Sequence, residues 1–295
     1  MSPSTISFIS THQLTAKQIT ALRQLYQNAK HVDENHIADY FDLLKEYRPQ
    51  SLSVLAYEKQ HLVGFISVFF FYEFSCELLL CVDPSHRRQK IATRLLQEIM
   101  PVLHMRQVHE IIFSSPQGLH DEWLLHAGFN LRNTEYQMQH SLSTMIPINL
   151  SIKIGFASKE QLPLLANMDH ACFHSDIQLT KARLHELLCS KEYRVLVAYH
   201  QQKLIGKAHL QWLTDGARLS DIAITPERQG QGFGSAFIQN ILRYIQLEKV
   251  PKVLLNVETN NHHAMHIYTR LGFKMANAHD YWGIPLKKLT NRYLS

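Results

Sequence analysis

The chain has 295 residues, of which 45% are hydrophobic and 19% are charged, and its formal net charge at pH 7 is +5. This length allows two domains of the commonest size, about 100 to 150 residues each, and the composition is that of a folded protein. The basic residues are scattered, with no cluster larger than Arg87, Arg88 and Lys90, so no nucleic-acid-binding surface is predicted. A modest positive charge suits an anionic small-molecule ligand.

The cysteines and the apolar segments indicate the cellular compartment of the chain. Cys76, Cys81, Cys172 and Cys189 show no zinc or redox spacing, and we predict buried thiols in a reducing compartment. No secretory signal pattern is present, and the most apolar window, residues 62–72, is far shorter than the roughly 20 residues that cross a bilayer. We expect a cytoplasmic protein without a membrane partner; the alternative is export into a host cell by a route that needs no signal peptide.

The first half of the chain alternates strand-like and helix-like segments. Its apolar positions follow a period of 2 in the former and of 3.6 in the latter. The predicted strands are residues 7–9, 52–57, 62–72, 77–82, 110–113 and 132–140, and the predicted helices are residues 16–30, 33–47, 91–105 and a short one ending at 125.

The second half repeats this order after an aperiodic segment, residues 141–146, which we interpret as a linker. Its predicted strands are residues 149–154, 194–199, 204–213, 217–224 and 252–257, and its predicted helices are residues 160–172, 180–188 and 234–247.

A direct sequence repeat supports this parallel. VDPSHRRQKIATRLL, from Val82, matches ITPERQGQGFGSAFI, from Ile224, and HAGF, ending at Phe129, matches RLGF, ending at Phe273. The separations between matched positions are 142 and 144 residues, so the chain carries an internal duplication. We predict an α/β (α+β) protein of two domains, residues 1–146 and 147–295, each a mixed twisted sheet flanked by helices.

Three glycines, Gly230, Gly232 and Gly234, lie between an apolar strand and an amphipathic helix in the second copy. Glycines allow positive φ angles and a close approach of backbone amides to a ligand, and the start of the following helix favours negative charge. This pattern predicts a cradle for a diphosphate.

Two motifs in this half, in the right order and separated by one strand, carry a family resemblance. The first is Gln229, Gly232 and Gly234, and the second is Asn261, Ala264, Tyr268, Gly272 and Phe273. Together they resemble the GNAT family of acetyl-CoA-dependent N-acetyltransferases. Tandem members of this family include mycothiol synthases and bacterial effector acetyltransferases of the VipF type, and the chain resembles both.

The resemblance implies an activity and a set of cofactor contacts. It implies transfer of the acetyl group of acetyl-CoA to a primary amine by direct attack in a ternary complex, without a metal; the acceptor is a small molecule, a protein lysine or a protein N-terminus. Asn261 either binds the pantetheine arm or simply caps its helix. The implied cofactor-binding residues are Ala223, Ile224, Gln229, Gly230, Gln231, Gly232, Phe233, Gly234, Ser235 and Asn261.

Two residues are candidates for proton transfer. An alkylamine with a pKa near 10.4 is neutral in only about one molecule in a thousand at pH 7, so a base is needed. The resemblance suggests Asp221, on the strand before the loop, as that base and Tyr268 as the acid that protonates the thiolate. The alternatives are that Asp221 pairs with a basic neighbour and that Tyr268 only packs under the sheet.

The first copy departs from the family pattern where chemistry would be done. Lys90 replaces the first glycine of the motif, Leu124 stands at the tyrosine position and residues 114–123 contain no asparagine, so this copy is predicted to be degenerate as a catalyst. A second ligand site is considered there, at Val82, Arg87, Arg88, Lys90 and Ala92. An alternative function is an acetyl-CoA-binding interaction module whose N-terminal copy recognises a partner protein, a host protein if the chain is an effector.

Overall fold

The computed structural model describes residues 6–33, 40–70 and 74–293. Residue contacts divide the chain into two compact units, one formed by Met1–Thr134 with Ala278–Ser295 and the other by Glu135–Asn277. Each unit contains one copy of the sequence repeat. We call them unit 1 and unit 2.

Unit 1 is a six-stranded mixed sheet with helices on both faces. The order is β1-β2-β3-β4-β5-β12. Its core has one part beneath α3 and another beneath α1 and α2. The strands are β1 (Ile6–Thr11), β2 (Ser53–Glu58), β3 (His61–Phe69), β4 (Ser75–Val82), β5 (Glu110–Pro116) and β12 (Lys274–Pro285), and the helices are α1 (Ala16–Asp33), α2 (Phe41–Lys45), α3 (Ile91–Met105), α4 (Asp121–Ala127) and α9 (Leu286–Tyr293).

Unit 2 repeats this plan with the order β6-β11-β10-β9-β8-β7. Its core lies beneath α7 and α8 on one face of the sheet and beneath α5 and α6 on the other. The strands are β6 (Asn130–Ser141), β7 (Lys153–Phe156), β8 (Tyr193–His200), β9 (Lys203–Leu213), β10 (Gly216–Ile224) and β11 (Lys252–Glu258), and the helices are α5 (Leu162–Phe173), α6 (Ile177–Cys189), α7 (Phe233–Leu247) and α8 (His262–Arg270). The tandem architecture predicted from the repeat is confirmed.

The ligand loops are the segments between β4 and α3 in unit 1 and between β10 and α7 in unit 2. The helix after each of them packs on the sheet through a narrow apolar stripe. In α3 the apolar stripe of Ile91, Leu95, Leu96, Ile99 and Met100 is buried, and so is the corresponding stripe of α7. Burial of one such side chain contributes about 1.5 to 3 kcal/mol, so each stripe fixes its helix firmly against the sheet. Asn240 of α7 is also buried, and its side-chain amide forms hydrogen bonds with the backbone of Asn149.

The chain passes between the units within two of its strands. The end of β6, Glu135–Ser141, pairs antiparallel with β11, and β12 from His279 to Pro285 pairs antiparallel with β5. Each unit therefore takes its last strand from the other half of the sequence. This division differs from the predicted boundary at residues 146 and 147. The predicted linker is packed in unit 2, where Leu142 and Ile146 are buried.

Three further expectations need correction. The helix predicted over residues 33–47 is described only as α2, since residues 34–39 lie outside the described part of the chain. The strand predicted over residues 149–154 begins later, at Lys153. All four cysteines are free, but only Cys76 and Cys81 are buried; Cys172 is half-buried and Cys189 is exposed because it ends α6 at the surface.

Candidate functional site

The loop before α7 has the conformation that a diphosphate cradle requires. Gly230 has φ = 72° and Gly232, the N-cap of the helix, has φ = 83°. A Cβ at either position would meet no protein atom within 4 Å, so the backbone angle, not crowding, calls for glycine here. The space beside the loop is open, and the residues present fit an anionic ligand at the start of α7.

Gln229 supports this loop from inside. Its Nε2 donates a hydrogen bond of 2.9 Å to the carbonyl oxygen of Ile224, the last residue of β10. The Cys172 thiol, whose pKa burial raises, donates to the same oxygen at 3.4 Å. The side chain of Gln229 therefore ties the loop to the strand, which explains why a side-chain N–H donor stands at this motif position.

The end of β10 offers a free strand edge. Its parallel pairing with β11 runs from Ala217 to Leu219 and stops, whereas its antiparallel pairing with β9 continues to Ile224. The two strands thus separate beside Ala223 and Ile224, and an extended ligand can add to that edge as another strand would.

A β-bulge places Asp221 at this point of separation. The β9 register advances by two residues, from His209 to Lys207, while β10 advances by three, from Ser220 to Ala223. Asp221 takes φ = 49°, which is uncommon for a residue other than glycine. The extra residue turns the Asp221 carboxylate to the face of the sheet covered by α5 and α6.

On that face Asp221 ends a chain of buried ionisable groups. Nδ1 of His209 lies 3.0 Å from Oδ2 of Asp221, and Nε2 of His209 lies 3.0 Å from Nζ of Lys207. Nζ of Lys207 in turn lies 2.8 Å from Oδ1 of Asp169 on α5. The Lys207 side chain is 0% exposed, so its charge must be balanced within the protein, and Asp169 balances it. At the other end, Arg183 of α6 approaches Asp221 at 3.7 Å.

The electrostatics fix the charge of the two central groups. Burial raises the pKa of the Asp221 carboxyl, but the hydrogen bond from His209 and the charges of Arg183 and Lys207 outweigh burial and hold this pKa well below its usual range. Burial lowers the pKa of His209, and the positive charge of Lys207 adds to that effect. At neutral pH Asp221 is therefore an anion and His209 is neutral.

Tyr268 lies on α8 in the core of unit 2, with its ring against Phe273. Burial raises its pKa to about 12, so the phenol keeps its proton throughout the working pH range. The rest of this motif shapes the helix: the Asn261 side chain accepts from the backbone N–H of Ala264 at 3.1 Å, and Gly272 ends the helix turn with φ = 94°. Asn261 is thus a helix cap, the alternative weighed above.

Unit 1 has the same loop without its glycines. Arg88 and Lys90, which match Gly230 and Gly232, take φ = 64° and 62°. Nε of Arg87, which matches Gln229, donates to the carbonyl oxygen of Val82 at 3.3 Å. Each residue other than glycine in the left-handed region costs about 1 to 2 kcal/mol, so this loop conformation lowers the free energy of unfolding of unit 1. Lys90 therefore takes the place of a glycine without changing the course of the loop.

Unit 1 also has a cavity of about 570 Å³ beside this loop. Basic side chains stand at the loop, and the walls are largely apolar, with Phe113, Trp123 and Phe129 among them. The cavity includes the point where β4 leaves β5, because their parallel pairing ends at Leu78 and Phe113. All five residues of the predicted second site line this cavity: Val82, Arg87, Arg88, Lys90 and Ala92.

Among the described residues of unit 1, none corresponds to Asp221, Lys207, His209 or Tyr268 of unit 2. The β3–β4 ladder has an unbroken register, so no bulge residue corresponds to Asp221. Phe65 and Ser67 pair with β4 where Lys207 and His209 pair with β10. Leu124 is buried at the position of Tyr268.

Asp169, Lys207 and His209 belong to no motif and were not predicted from the sequence. A signal was present: Lys207 and His209 alternate with apolar residues on β9, which places both on one face of a strand next to Asp221. Polar residues with a period of 2 on a central strand would have indicated a buried polar row. Asp169 could not be found in this way, since its contact depends on how α5 packs.

Within the described ranges, no group of three or more His, Cys, Asp or Glu side chains could hold a metal ion. No helix there is both long and apolar enough to span a membrane.

Comparison with known sequences defines the class of protein. The model of the Acetyltransferase (GNAT) family matches residues 19–117 and, a second time, residues 162–273. The two matches cover more than half of the chain, which therefore belongs to the GNAT acetyltransferase family and contains two copies of its domain.

Individual relatives match only parts of the chain. Mycothiol acetyltransferase from Tsukamurella paurometabola is 40% identical over 84 residues, which are 28% of this chain and 27% of that protein. The ribosomal protein bS18-alanine N-acetyltransferase of Escherichia coli (strain K12) is 32% identical over 74 residues, 25% of this chain and 50% of that protein. The chain spans half or less of the length of these relatives.

A solved structure matches nearly the whole chain. The tandem GNAT protein from the clavulanic acid biosynthesis pathway has a TM-score of 0.75, with 96% of this chain and 99% of that chain covered at 12% identity. This likeness concerns the fold alone.

Proposed function

We propose that the protein is an N-acetyltransferase that moves the acetyl group of acetyl-CoA to a primary amine, with the chemistry in unit 2. The observation that carries the proposal is the meeting of three features in that unit: the glycine loop, the free edge of β10 and the ionised Asp221 at the bulge. Family membership and the names of the relatives support the same reaction class.

The donor would bind along the loop and the strand edge. Backbone amides of residues 230–235 hold the diphosphate, and the backbone of Ala223 and Ile224 pairs with the pantetheine arm. Bound acetyl-CoA supplies an activated acyl group, since a thioester is readily attacked by an amine. The role of Asn261 in holding the pantetheine arm would use its Nδ2, because Oδ1 is engaged in the helix cap.

Asp221 would receive the acceptor. A carboxylate that is ionised at every working pH attracts the ammonium form of the amine and takes one proton from it, which frees the nitrogen lone pair to attack the thioester carbonyl; it then takes a second proton from the nitrogen of the adduct. Because the pKa of Asp221 lies well below its usual range, the proton passes on to water instead of staying on the carboxyl. The side chain is 27% exposed, so water reaches it.

Tyr268 would protonate the leaving group. As the C–S bond breaks, the thiolate needs a proton, and a phenol that remains neutral at neutral pH always has one to give. A pKa of about 12 makes Tyr268 a weak acid. Its effect on the rate would therefore depend on how closely the phenol is placed to the leaving sulfur.

Unit 1 would bind a CoA-type ligand without turning it over. The cavity and the retained loop conformation support binding, and the missing bulge and phenol argue against chemistry. A pocket of about 570 Å³ lies within the size range of small-molecule sites and is not expected of a surface that only contacts another protein.

The test is a panel of amine acceptors, with release of the CoA thiol followed for the full chain. The panel includes free lysine, a peptide N-terminus, a polyamine and an amino sugar, each matched with its N-acetylated form as the control. Saturable thiol release with at least one amine, and initial-velocity lines that intersect when both substrates are varied, are expected. Parallel lines would contradict direct attack, and acetyl-CoA binding without release for any amine would favour the binding-module alternative.

A further inference from the structure

The buried row of charged groups on β9 and α5 of unit 2 has no part in the reaction described above, although Lys207 is completely buried. A buried ion pair of this kind contributes little net stability, and replacing it with apolar residues is often neutral or stabilising. The row ends at Asp221, and this placement suggests that it orients the Asp221 carboxylate.

The chemistry of lysine decides which nitrogen of His209 carries the proton. A lysine ammonium has three donors and no acceptor, so the imidazole nitrogen that faces Nζ of Lys207 must offer its lone pair. That nitrogen is Nε2. His209 is neutral, and its single proton is therefore on Nδ1, directed at Oδ2 of Asp221 at 3.0 Å.

The lysine is held in turn by Asp169. Its carboxylate, 5% exposed, lies 2.8 Å from Nζ and neutralises the ammonium that would otherwise have no counter-charge in the core. The row runs without a break from α5 to the bulge.

We propose that Asp169 and Lys207 fix the tautomer of His209 and that His209 acts as a positioning residue, which holds Asp221 as an oriented anion facing the acceptor amine. This proposal deepens the proposed function and rests on it. His209 does not reach the acceptor itself, because both of its nitrogens are engaged within the protein.

Other groups around Asp221 act on its charge as well, and the proposal must be separated from their effects. Besides His209, these are Arg183 of α6 and Lys207 of β9. The other ionisable groups of this neighbourhood are Asp169 and Cys172 of α5, Tyr193 of β8 and Arg218 of β10. Arg183 is the nearest alternative source of stabilisation for the carboxylate, but its side chain is 65% exposed and its distance of 3.7 Å exceeds that of a hydrogen bond.

Two substitutions divide the roles of the imidazole. His209→Asn places an amide N–H at the position of Nδ1 and keeps the donor to Asp221. His209→Gln places an amide oxygen near the position of Nε2 and keeps the acceptor for Lys207, but it loses the donor to Asp221. Both variants leave Lys207 paired with Asp169, so neither leaves a charge unbalanced. His185→Gln, at an exposed residue of α6, is the matched control.

The experiment measures kcat and KM from pH 5 to 9 for the full chain, with thermal unfolding of each variant. We expect His209→Asn to retain kcat/KM within about threefold and His209→Gln to lose about tenfold to a hundredfold, the range of one hydrogen bond to a charged group. In His209→Gln the acid limb of kcat/KM should move to higher pH, because burial then raises the pKa of Asp221 without the opposing bond.

Equal losses in the two histidine variants, without a change in the pH profile, would overturn the proposal and assign His209 a purely structural part. Asp221→Asn separates that outcome from failure of the proposed function. If Asp221→Asn keeps full activity, Asp221 is not the base and the proposed reaction site is wrong; if it is inactive while the two histidine variants agree, only the positioning proposal fails.

Discussion

The ligand loops of the two units have one shape and two compositions. Residues 88 and 90 in unit 1 and residues 230 and 232 in unit 2 all have φ between 62° and 83°, yet only the second pair is glycine. In both units the preceding side chain, Arg87 or Gln229, bonds the carbonyl oxygen that ends the strand. Loop shape is therefore set by the strand–loop–helix frame, and glycine makes that shape less costly.

The polar groups of the proposed reaction site, unlike the loop shape, are not shared by the two units. The bulge at Asp221, the buried Lys207 and His209, and the phenol of Tyr268 occur in unit 2 alone among the described residues. One inserted residue in β10 accounts for much of this contrast, since without it no carboxylate would stand at the separation of β10 and β11. The duplicated fold thus keeps ligand geometry in both copies and reactive groups in one.

Deletion of Asp221 would give β10 the regular register of β4 and should have the largest effect on activity. We expect kcat/KM to fall at least about 10²-fold, the lower range for loss of a proton-transfer group. The fold should persist because unit 1 shows that the regular ladder is compatible with it. Activity is measured by thiol release, and circular dichroism with acetyl-CoA binding serves as the control. Retained activity would show that the bulge is not part of the reaction site.

Exchange of the residues at the position of the phenol tests a second difference between the units. Tyr268→Phe should lower kcat about 10²-fold with little change in donor binding, since only the proton is lost. Leu124→Tyr should give unit 1 no activity, because the bulge is still missing there. Tyr199→Phe, which removes another phenol of unit 2 with a hydrogen bond to Gln161, is the control. Turnover by Leu124→Tyr in a Tyr268→Phe background would contradict this assignment.

A third pair of variants tests what glycine contributes to the loop. Lys90→Gly should stabilise unit 1 by about 1 kcal/mol or less, because relief of the left-handed strain exceeds the added flexibility of the unfolded chain. Gly232→Ala should destabilise unit 2 by about 1 kcal/mol because of its φ of 83°, and it should raise KM for acetyl-CoA, because a Cβ would enter the open space proposed for the diphosphate. Chemical denaturation gives the first quantity and initial rates the second. An increase in stability from Gly232→Ala would contradict the strain argument.

Acid should weaken unit 2 selectively, although this effect is the smallest. The pKa of His209 is lower in the folded state than in the unfolded state, where it is near 6.5. Its contribution to the free energy of unfolding is therefore complete above about pH 6.5 and is lost as the pH falls below that value. The pKa of Asp221 is lowered too, and its contribution disappears only below about 3.8. Hydrogen exchange at pH 7 and pH 5 should show reduced protection in β9 and β10 but not in β3 and β4. Equal loss in both units would refute this explanation.

Much of the fold could be predicted from the sequence. The periods of 2 and 3.6 located most strands and helices, and the constant offset of the repeat established the tandem plan, because both depend on local residue patterns. The exchange of β6 and β12 between the units could not be predicted, since both strands are continuous in sequence and only long-range pairing shows where each belongs.

The candidate site divides in the same way. The loop glycines and Tyr268 stand in short motifs, and Asp221 was found because it lies on the strand before the loop. The groups in the row that ends at Asp221 come from α5, α6 and β9, up to 52 residues away in the sequence, so packing alone brings them together. The pKa directions follow from that packing, and no sequence motif carries them.

The most direct test of the account is acetyl transfer by two double variants of the full chain, with binding stoichiometry measured alongside. Asp221→Asn/Tyr268→Phe should abolish transfer and still bind acetyl-CoA. Arg88→Ala/Lys90→Ala should keep kcat at saturating donor and lose one equivalent of bound ligand. If the second variant abolishes transfer while the first retains it, the chemistry lies in unit 1, and the assignment of the reaction to unit 2 is wrong.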